Sequence, residues 1–387
     1  MPDRPGILFT AFEPSGDHIG SALIAELKRR EPDRPIYALG GPLMQKAGAE
    51  VIEITTDKAV MLAGAVSQVK QHWLRLGRLK KWLVENRIGA LVPTDSPAAN
   101  WSICSLIRKQ QPDAKIVHLV APQLWAWAPW RVRKLRRLTD HVMCLLPFEP
   151  DWFAGRGVSA SFVGHPLYDK IPAKKTPPGA GLPVTTGPKL ALLPGSRESE
   201  IKRNWPTMLG AYRRLNASHR GLSAVVAASD KARAHQIELM SPMGVLPRAM
   251  QMVTGDADAV LNWADAALVV SGTATLHAAA HGTPMAVFYN LKSYEWHLVG
   301  RWFVTTRTMS LPNLIGESMG LGRVVPELMP HFGDADALTR ATAPLLREGE
   351  ARQKQHKAFA AIRERFTGMR FERAAADTLL DAIHAPK

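Results

Sequence analysis

The chain has 387 residues, 46% of them hydrophobic and 21% charged, a balance that allows two domains of ordinary size and excludes disordered and collagen-like chains. Lys and Arg number 49 against 34 Asp and Glu, giving a formal net charge of +15, which calls for a polyanionic partner such as nucleic acid, anionic lipid or phosphorylated substrates. The only cysteines, Cys104 and Cys144, fit no metal or redox spacing, which excludes a disulfide framework or zinc ribbon and favours a reducing compartment.

A short charged lead, Asp3 and Arg4, runs directly into an apolar strand at Ile7 to Phe12, so no targeting segment is expected. Further short apolar runs predict strands at Ala90 to Val92, Lys115 to Val120, His141 to Leu145, Leu190 to Leu193, Ala224 to Ala228, Ala266 to Val270 and Met285 to Tyr289. Helical patterns between them imply an α/β fold with parallel sheets. The uncharged stretch from Leu119 to Trp130 falls well short of the roughly 18 residues a membrane span requires. Pro172, Pro177, Pro178, Gly179, Gly181, Pro183, Gly187 and Pro188 crowd one segment, read as a linker over 171–189. It separates an N-terminal domain, 1–170, from a second, 190–333, and each opens with a strand, a small-residue turn and a helix, as Rossmann-like domains do. Helical spacing of Leu338, Leu345, Phe359, Ile362, Phe366, Leu379 and Ile383 predicts closing helices over 334–387, with a return onto the N-terminal domain left open.

Two turns in the second half carry phosphate chemistry. After Leu193 the chain reads Pro194-Gly195-Ser196-Arg197 and enters a helix, where free amides, close backbone approach and a guanidinium suit a phosphate. The plainer reading is that Ser196 caps the helix. Ser271-Gly272-Thr273-Ala274-Thr275 follows another strand in the same way, and together the two turns favour a nucleotide diphosphate in one crevice. Neither a P-loop nor a Gly-x-Gly-x-x-Gly pattern is present, so ATP hydrolysis and nicotinamide binding lose support.

In the first half, Glu13-Pro14-Ser15-Gly16-Asp17-His18 ends one strand and Thr94-Asp95-Ser96-Pro97 another, a cluster able to supply a general base. Helix capping by Asp17, Ser15 and Asp95 explains the same residues. Trp125-Ala126-Trp127 precedes Trp130, Arg131, Arg133, Lys134, Arg136 and Arg137, and a helix marked by Val69, Trp73, Leu76, Leu79 and Leu83 carries Lys70, Arg75, Arg78, Lys80 and Lys81. Tryptophan beside cationic charge suits an anionic lipid interface. No nucleic-acid motif accompanies these residues, and a solvated helix face with buried tryptophans is an alternative account of any one of them.

The set Glu13-x-Ser15-Gly16-Asp17, Ala59-Val60-Met61, Trp125-Ala126-Trp127, Leu146-Pro147-Phe148-Glu149 and Val163-Gly164-His165-Pro166 is collinear with Leu193-Pro194-Gly195-Ser196-Arg197 and Glu200, Ser271 to Leu276, and Ser310 to Leu314. As a set they resemble the lipid-A-disaccharide synthase family over about Ile7 to Leu346. The resemblance implies a GT-B fold: two Rossmann-like domains with parallel sheets facing across a cleft, and a helical C-terminus. It implies a metal- and cofactor-independent inverting transfer of 2,3-diacylglucosamine from UDP to 2,3-diacylglucosamine 1-phosphate through a β-1,6 bond, on the cytoplasmic face of the membrane. Gly195, Ser196, Arg197 and Glu200, with Ser271, Gly272, Thr273, Thr275, His277 and Asn313, would form the UDP-sugar site. Asp95, Glu13 and Asp17 would serve catalysis, and Ser15, Met61, Trp125, Trp127, Arg131 and Arg133 would face the acceptor and an anionic membrane surface. Nucleic acid is not an expected partner, and a homodimer is left open.

The chain departs from the family pattern where Ala98 replaces a second aspartate, His277 a glutamate, and Asn290 a cationic residue after Tyr289. No acidic residue stands between Asp57 and Glu85, and the segment near Gly316 to Gly322 is lengthened. Either Asp95, helped by Glu13 or Asp17, takes the acceptor's proton, or the chain is a divergent paralogue that binds UDP-sugar or glycolipid. A UDP-sugar 2-epimerase shares the architecture, but the basic tryptophan surface argues against it.

Overall fold

A computed structural model describes residues 4–56, 65–95, 97–172, 181–292 and 308–384, with backbone alone considered for 65–69. The chain forms two compact units, Met1–Pro166 with Gly368–Lys387, and Leu167–Thr367.

In the first unit, β1 (Gly6–Thr10), β2 (Ile36–Gly40), β3 (Glu50–Ile54), β4 (Ile88–Pro93), β5 (Lys115–Leu119), β6 (His141–Cys144) and β7 (Ala160–Phe162) form a seven-stranded sheet in the order β3-β2-β1-β4-β5-β6-β7. Its pairings are parallel, with Ile7 opposite Ile36 and Phe9 opposite Val92. Every residue of β1 is buried, because helices cover both faces of the sheet. Ile7 and Phe9 pack with Leu23 and Leu27 of the Pro14–Arg30 helix and with Phe371 and Leu379 of the Phe371–His384 helix. Leu8, one residue out of phase, packs with Leu79, Leu83, Ile103 and Ile107 from the Ala65–Glu85 and Pro97–Gln110 helices.

The chain's last helix therefore belongs to its first unit. Fully burying a residue such as Phe371 or Leu379 contributes roughly 1.5–3 kcal/mol, whereas the exposed Arg30–Asp377 ion pair is of a type worth about 0–1 kcal/mol. Apolar contact holds this helix.

The second unit has β8 (Lys189–Leu193), β9 (Ser223–Ala228), β10 (Met250–Thr254), β11 (Ala266–Val270), β12 (Met285–Asn290) and β13 (Glu327–His331) in the order β10-β9-β8-β11-β12-β13. This six-stranded sheet is also parallel, with Leu192 opposite both Val226 and Leu268. Trp205, Met208, Tyr212 and Leu215 on one face of the Glu198–Ser218 helix join Leu190 and Leu192 in its core. Of the helices expected over 334–387, Ala335–Thr342 and Glu350–Glu364 lie in this unit.

In both sheets the strand order reverses beside the first strand of the unit, between β1 and β4 and between β8 and β11. The carboxyl ends at such reversals leave a crevice, because the flanking crossover helices run to opposite faces of the sheet.

Candidate functional site

In the second unit that crevice is a cavity of about 420 Å³, within the roughly 300–1,000 Å³ range of small-molecule sites. The turns after β8, β9, β10 and β11 all reach it, with Gly195, Ser196 and Arg197 on one side and Gly272, Thr273 and His277 on the other. Ser271 and Glu200 also line it.

The turn after β8 is more occupied than its sequence predicts. Glu200 Oε2 accepts the Ser196 and Arg197 amides at 3.1 and 3.2 Å, while Arg197 Nη1 donates to Glu200 Oε1 at 3.1 Å. Glu200 thus fills the amide-lined position expected for a phosphate, and its carboxylate is a capping group rather than a ligand for an anion. Gly195 makes room for it, since φ is +109° and a Cβ there would lie 2.8 Å from Glu200 Cβ. The Arg197 side chain remains 74% exposed, so its guanidinium is able to leave Glu200 for an anion.

The turn after β11 is open. No side chain caps the Thr273–Ala280 helix, and the Thr273 and Ala274 amides have no acceptor among the described residues. Thr275, expected at the ligand, is fully buried, and its hydroxyl is spent on the Gly272 carbonyl at 2.8 Å. His277 does reach the cavity, one turn beyond Thr273 on the same helix face. Its Nδ1 lies 2.8 Å from Asp258 Oδ1, which His281 Nε2 also approaches at 3.1 Å. Hydrogen bonds from His277 and then His281 hold the Asp258 carboxyl well below its ordinary range.

Asn313 is absent from the cavity wall. Fully buried, it accepts the Val324 and Val325 amides and donates to Glu327 Oε2 at 2.8 Å, tying the Leu311–Ser318 helix to β13. The polar side chain serves the backbone, not a ligand. Asn290 is likewise buried, donating to the Arg203 carbonyl and the Thr207 hydroxyl.

In the first unit the expected carboxylates divide by their surroundings. Asp17 is 3% exposed and accepts the Gly41, Leu43 and Met44 amides at 3.0–3.1 Å. It caps the Pro42–Lys46 helix, with both oxygens engaged by backbone amides. Asp95 Oδ2 accepts the Phe12 and Glu13 amides, each at 2.7 Å. Burial pushes the Asp95 carboxyl up to about 7 against the pull of those amides. Gly16 permits this approach, because a Cβ there would collide with the Asp95 carboxylate. The Glu13 carboxylate, partly exposed at the same strand end, has no hydrogen-bond partner among the described residues. Ser15 is exposed beside it. Met61 and Ser96 lie outside the described residues.

The tryptophans also divide. Trp125 is 6% exposed, and its indole donates to Glu149 Oε1 at 3.1 Å, so it belongs to the core and not to a membrane-facing surface. Trp127 and Trp130 are 51% and 57% exposed. Arg131 lies 5.5 Å from the Trp127 ring and 4.5 Å from that of Trp101. Arg133, Lys134, Arg136 and Arg137 form the exposed face of the Val132–Leu138 helix. No described helix is long and apolar enough to cross a membrane, and no described cluster of His, Cys, Asp and Glu could hold a metal ion.

Sequence reasoning missed Asp258 and the pair formed by His72 Nε2 and Ser102 Oγ at 2.6 Å. Both join residues from separate helices, so no local motif announces them.

Residues 7–382 match the lipid-A-disaccharide synthetase family. A lipid-A-disaccharide synthase of Pseudomonas putida is 35% identical over 346 residues, covering 89% of this chain and 90% of its own. One from Acidobacterium capsulatum is 32% identical over 394 residues, covering 95% and 93%. Among solved structures, a spinosyn rhamnosyltransferase complexed with thymidine diphosphate superposes with a TM-score of 0.62 at 14% identity, covering 97% of this chain and 100% of that one. That likeness concerns the fold, which is the GT-B glycosyltransferase fold.

Proposed function

The chain belongs to the lipid-A-disaccharide synthase family and is a hexosyltransferase of that type, and on this footing we propose that it transfers 2,3-diacylglucosamine from UDP to 2,3-diacylglucosamine 1-phosphate. A β-1,6 bond forms with inversion, and UDP leaves. The observation that carries the nucleotide assignment is the cavity at the β8/β11 reversal, where two small-residue turns meet and the Thr273 and Ala274 amides stand open. Open amides at a helix start favour an anion.

The diphosphate lies between those amides and Arg197, whose guanidinium exchanges Glu200 for phosphate oxygens. Ser196, Ser271 and Gly272 line its approach. Departing UDP gains negative charge, so donors fixed in advance lower the barrier to its loss. Inversion in one displacement requires a group to take the acceptor hydroxyl's proton. Glu13 takes it: its carboxylate is uncommitted among the described residues, whereas Asp17 accepts three amides. Asp95 holds the Glu13 backbone in place through its amide.

The exposed Trp127 and Trp130, with the basic face of the Val132–Leu138 helix, meet an anionic membrane surface from the cytoplasmic side, where the acylated substrates reside.

Release of UDP from UDP-2,3-diacylglucosamine, with and without 2,3-diacylglucosamine 1-phosphate, tests the assignment. Acceptor-dependent release that falls about 100- to 10,000-fold in Glu13→Gln, with melting unchanged, supports it. UDP-sugar binding without acceptor-dependent release would make the chain a binding paralogue or a transferase with another acceptor.

A further inference from the structure

We infer that Asp258 is a positioning residue for the nucleotide ribose, holding the Nδ1–H of His277 so that His277 Nε2 offers its lone pair to one ribose hydroxyl. This inference rests on the nucleotide-sugar reading of the cavity.

An ionised carboxylate can only accept, so the 2.8 Å contact with Asp258 Oδ1 requires the proton of a neutral His277 to sit on Nδ1. Nε2 is then an acceptor. Without Asp258 the two tautomers would compete, and the ring would be free to turn. His281 approaches the same oxygen from one turn further along the helix, and its side chain is 9% exposed. The carboxylate is therefore fixed by two imidazoles, only one of which lines the cavity.

The spacing fits a nucleotide. Thr273 and His277 are separated by one helical turn, about 6 Å along the axis. An anion on the Thr273 and Ala274 amides and a hydroxyl on His277 Nε2 would be placed like a phosphate and the sugar esterified to it. A carboxylate at position 277 could accept both vicinal hydroxyls through separate oxygens, but an imidazole has one lone pair. The site should consequently read one ribose hydroxyl and ignore the other.

The test is calorimetric binding of UDP, 2′-deoxy-UDP and 3′-deoxy-UDP to the wild-type chain, Asp258→Ala, His277→Ala and the double variant Asp258→Ala/His277→Glu. The wild-type chain should bind one deoxy analogue roughly fivefold more weakly than UDP and the other about equally well. That discrimination should vanish in Asp258→Ala and His277→Ala. In the double variant both deoxy analogues should bind more weakly than UDP, because its glutamate needs no tautomer to be fixed and can accept both hydroxyls. Asp258 is 49% exposed, so its removal leaves no buried void.

Discrimination that survives Asp258→Ala or His277→Ala overturns the inference, as does UDP binding by the wild-type chain with neither analogue disfavoured. In both cases the nucleotide reading stands. Failure of the wild-type chain to bind UDP overturns that reading, and this inference with it.

Discussion

Trp125 and Glu149 meet in the core of the first unit, where the indole Nε1 donates to a carboxylate oxygen 3.1 Å away and the Leu146 amide donates to the other at 3.0 Å. The Trp-Ala-Trp and Leu-Pro-Phe-Glu motifs, separate in sequence, are two sides of one buried contact.

Burial pushes the Glu149 carboxyl up from 4.5 to about 7. A carboxyl raised in the folded chain binds more protons there than in the unfolded chain between these two values. Stability should therefore fall as pH rises from about 4.5 to about 7, by roughly 3 kcal/mol from this group, and level off above. Asp95 acts in the same direction. Glu149→Gln has no proton to release, so its thermal melting should vary less across that window. Melting curves of both chains that remain parallel from pH 4.5 to 7.5 would refute the assignment.

Asp17 should behave as a structural residue. Replacing it with Ala leaves the Gly41, Leu43 and Met44 amides without their acceptor, and each buried donor left unmade costs about 1–3 kcal/mol. Asp17→Ala should therefore lower stability by about 3 kcal/mol or more, and Asp17→Asn by less, since its amide oxygen still accepts. Denaturant titration reads the difference. A variant of full stability that lacks transferase activity would return Asp17 to the catalytic group.

The strands that apolar periodicity identifies, β1, β4, β5, β6, β8, β9, β11 and β12, are mostly central and buried on both faces, so they read as continuous hydrophobic runs. Those it misses include all four sheet edges. In β3 and β10 charged or polar residues interrupt the apolar ones, β7 is Ala-Ser-Phe, and β13 carries Glu327, Pro330 and His331. Half-exposed strands need no unbroken apolar run. The site was legible to the same degree: sequence placed Gly195, Ser196, Arg197, Ser271, Gly272 and Thr273 at one crevice, because strand-turn-helix order fixes where such turns lie, and the family resemblance added His277. It could not tell a ligand-facing hydroxyl from one bonded to its own helix, as in Thr275, or a ligand from a cap, as in Glu200.

Arg197 and Glu200 should have opposite effects on UDP affinity. A guanidinium bonded to a charged phosphate is worth about 1.5–3 kcal/mol, so Arg197→Ala should weaken UDP binding about 10- to 100-fold. Glu200→Gln removes a negative charge from beside the same diphosphate and frees Arg197 from its ion pair. That variant should bind UDP more tightly, at the cost of about 0.5–2 kcal/mol of helix-cap stability. Calorimetry with UDP checks both signs. Unchanged affinity in Arg197→Ala would remove the diphosphate from this turn.

Membrane contact should follow exposure, not tryptophan content. Trp127 and Trp130 are both more than half exposed, while Trp125 is enclosed and bonded to Glu149. An exposed indole gains at the headgroup level by burying its ring, and adjacent basic side chains add about 1 kcal/mol each near an anionic surface. Vesicles of phosphatidylglycerol should therefore capture the wild-type chain, less so as salt rises. Trp127→Ala/Trp130→Ala should weaken that capture, and charge reversal at Arg133 and Arg137 should nearly abolish it at low salt. Trp125→Phe leaves Glu149 without its indole donor and should lower melting while sparing vesicle affinity. Equal loss of binding from the buried and exposed tryptophans would refute the assignment of lipid contact to the exposed indoles.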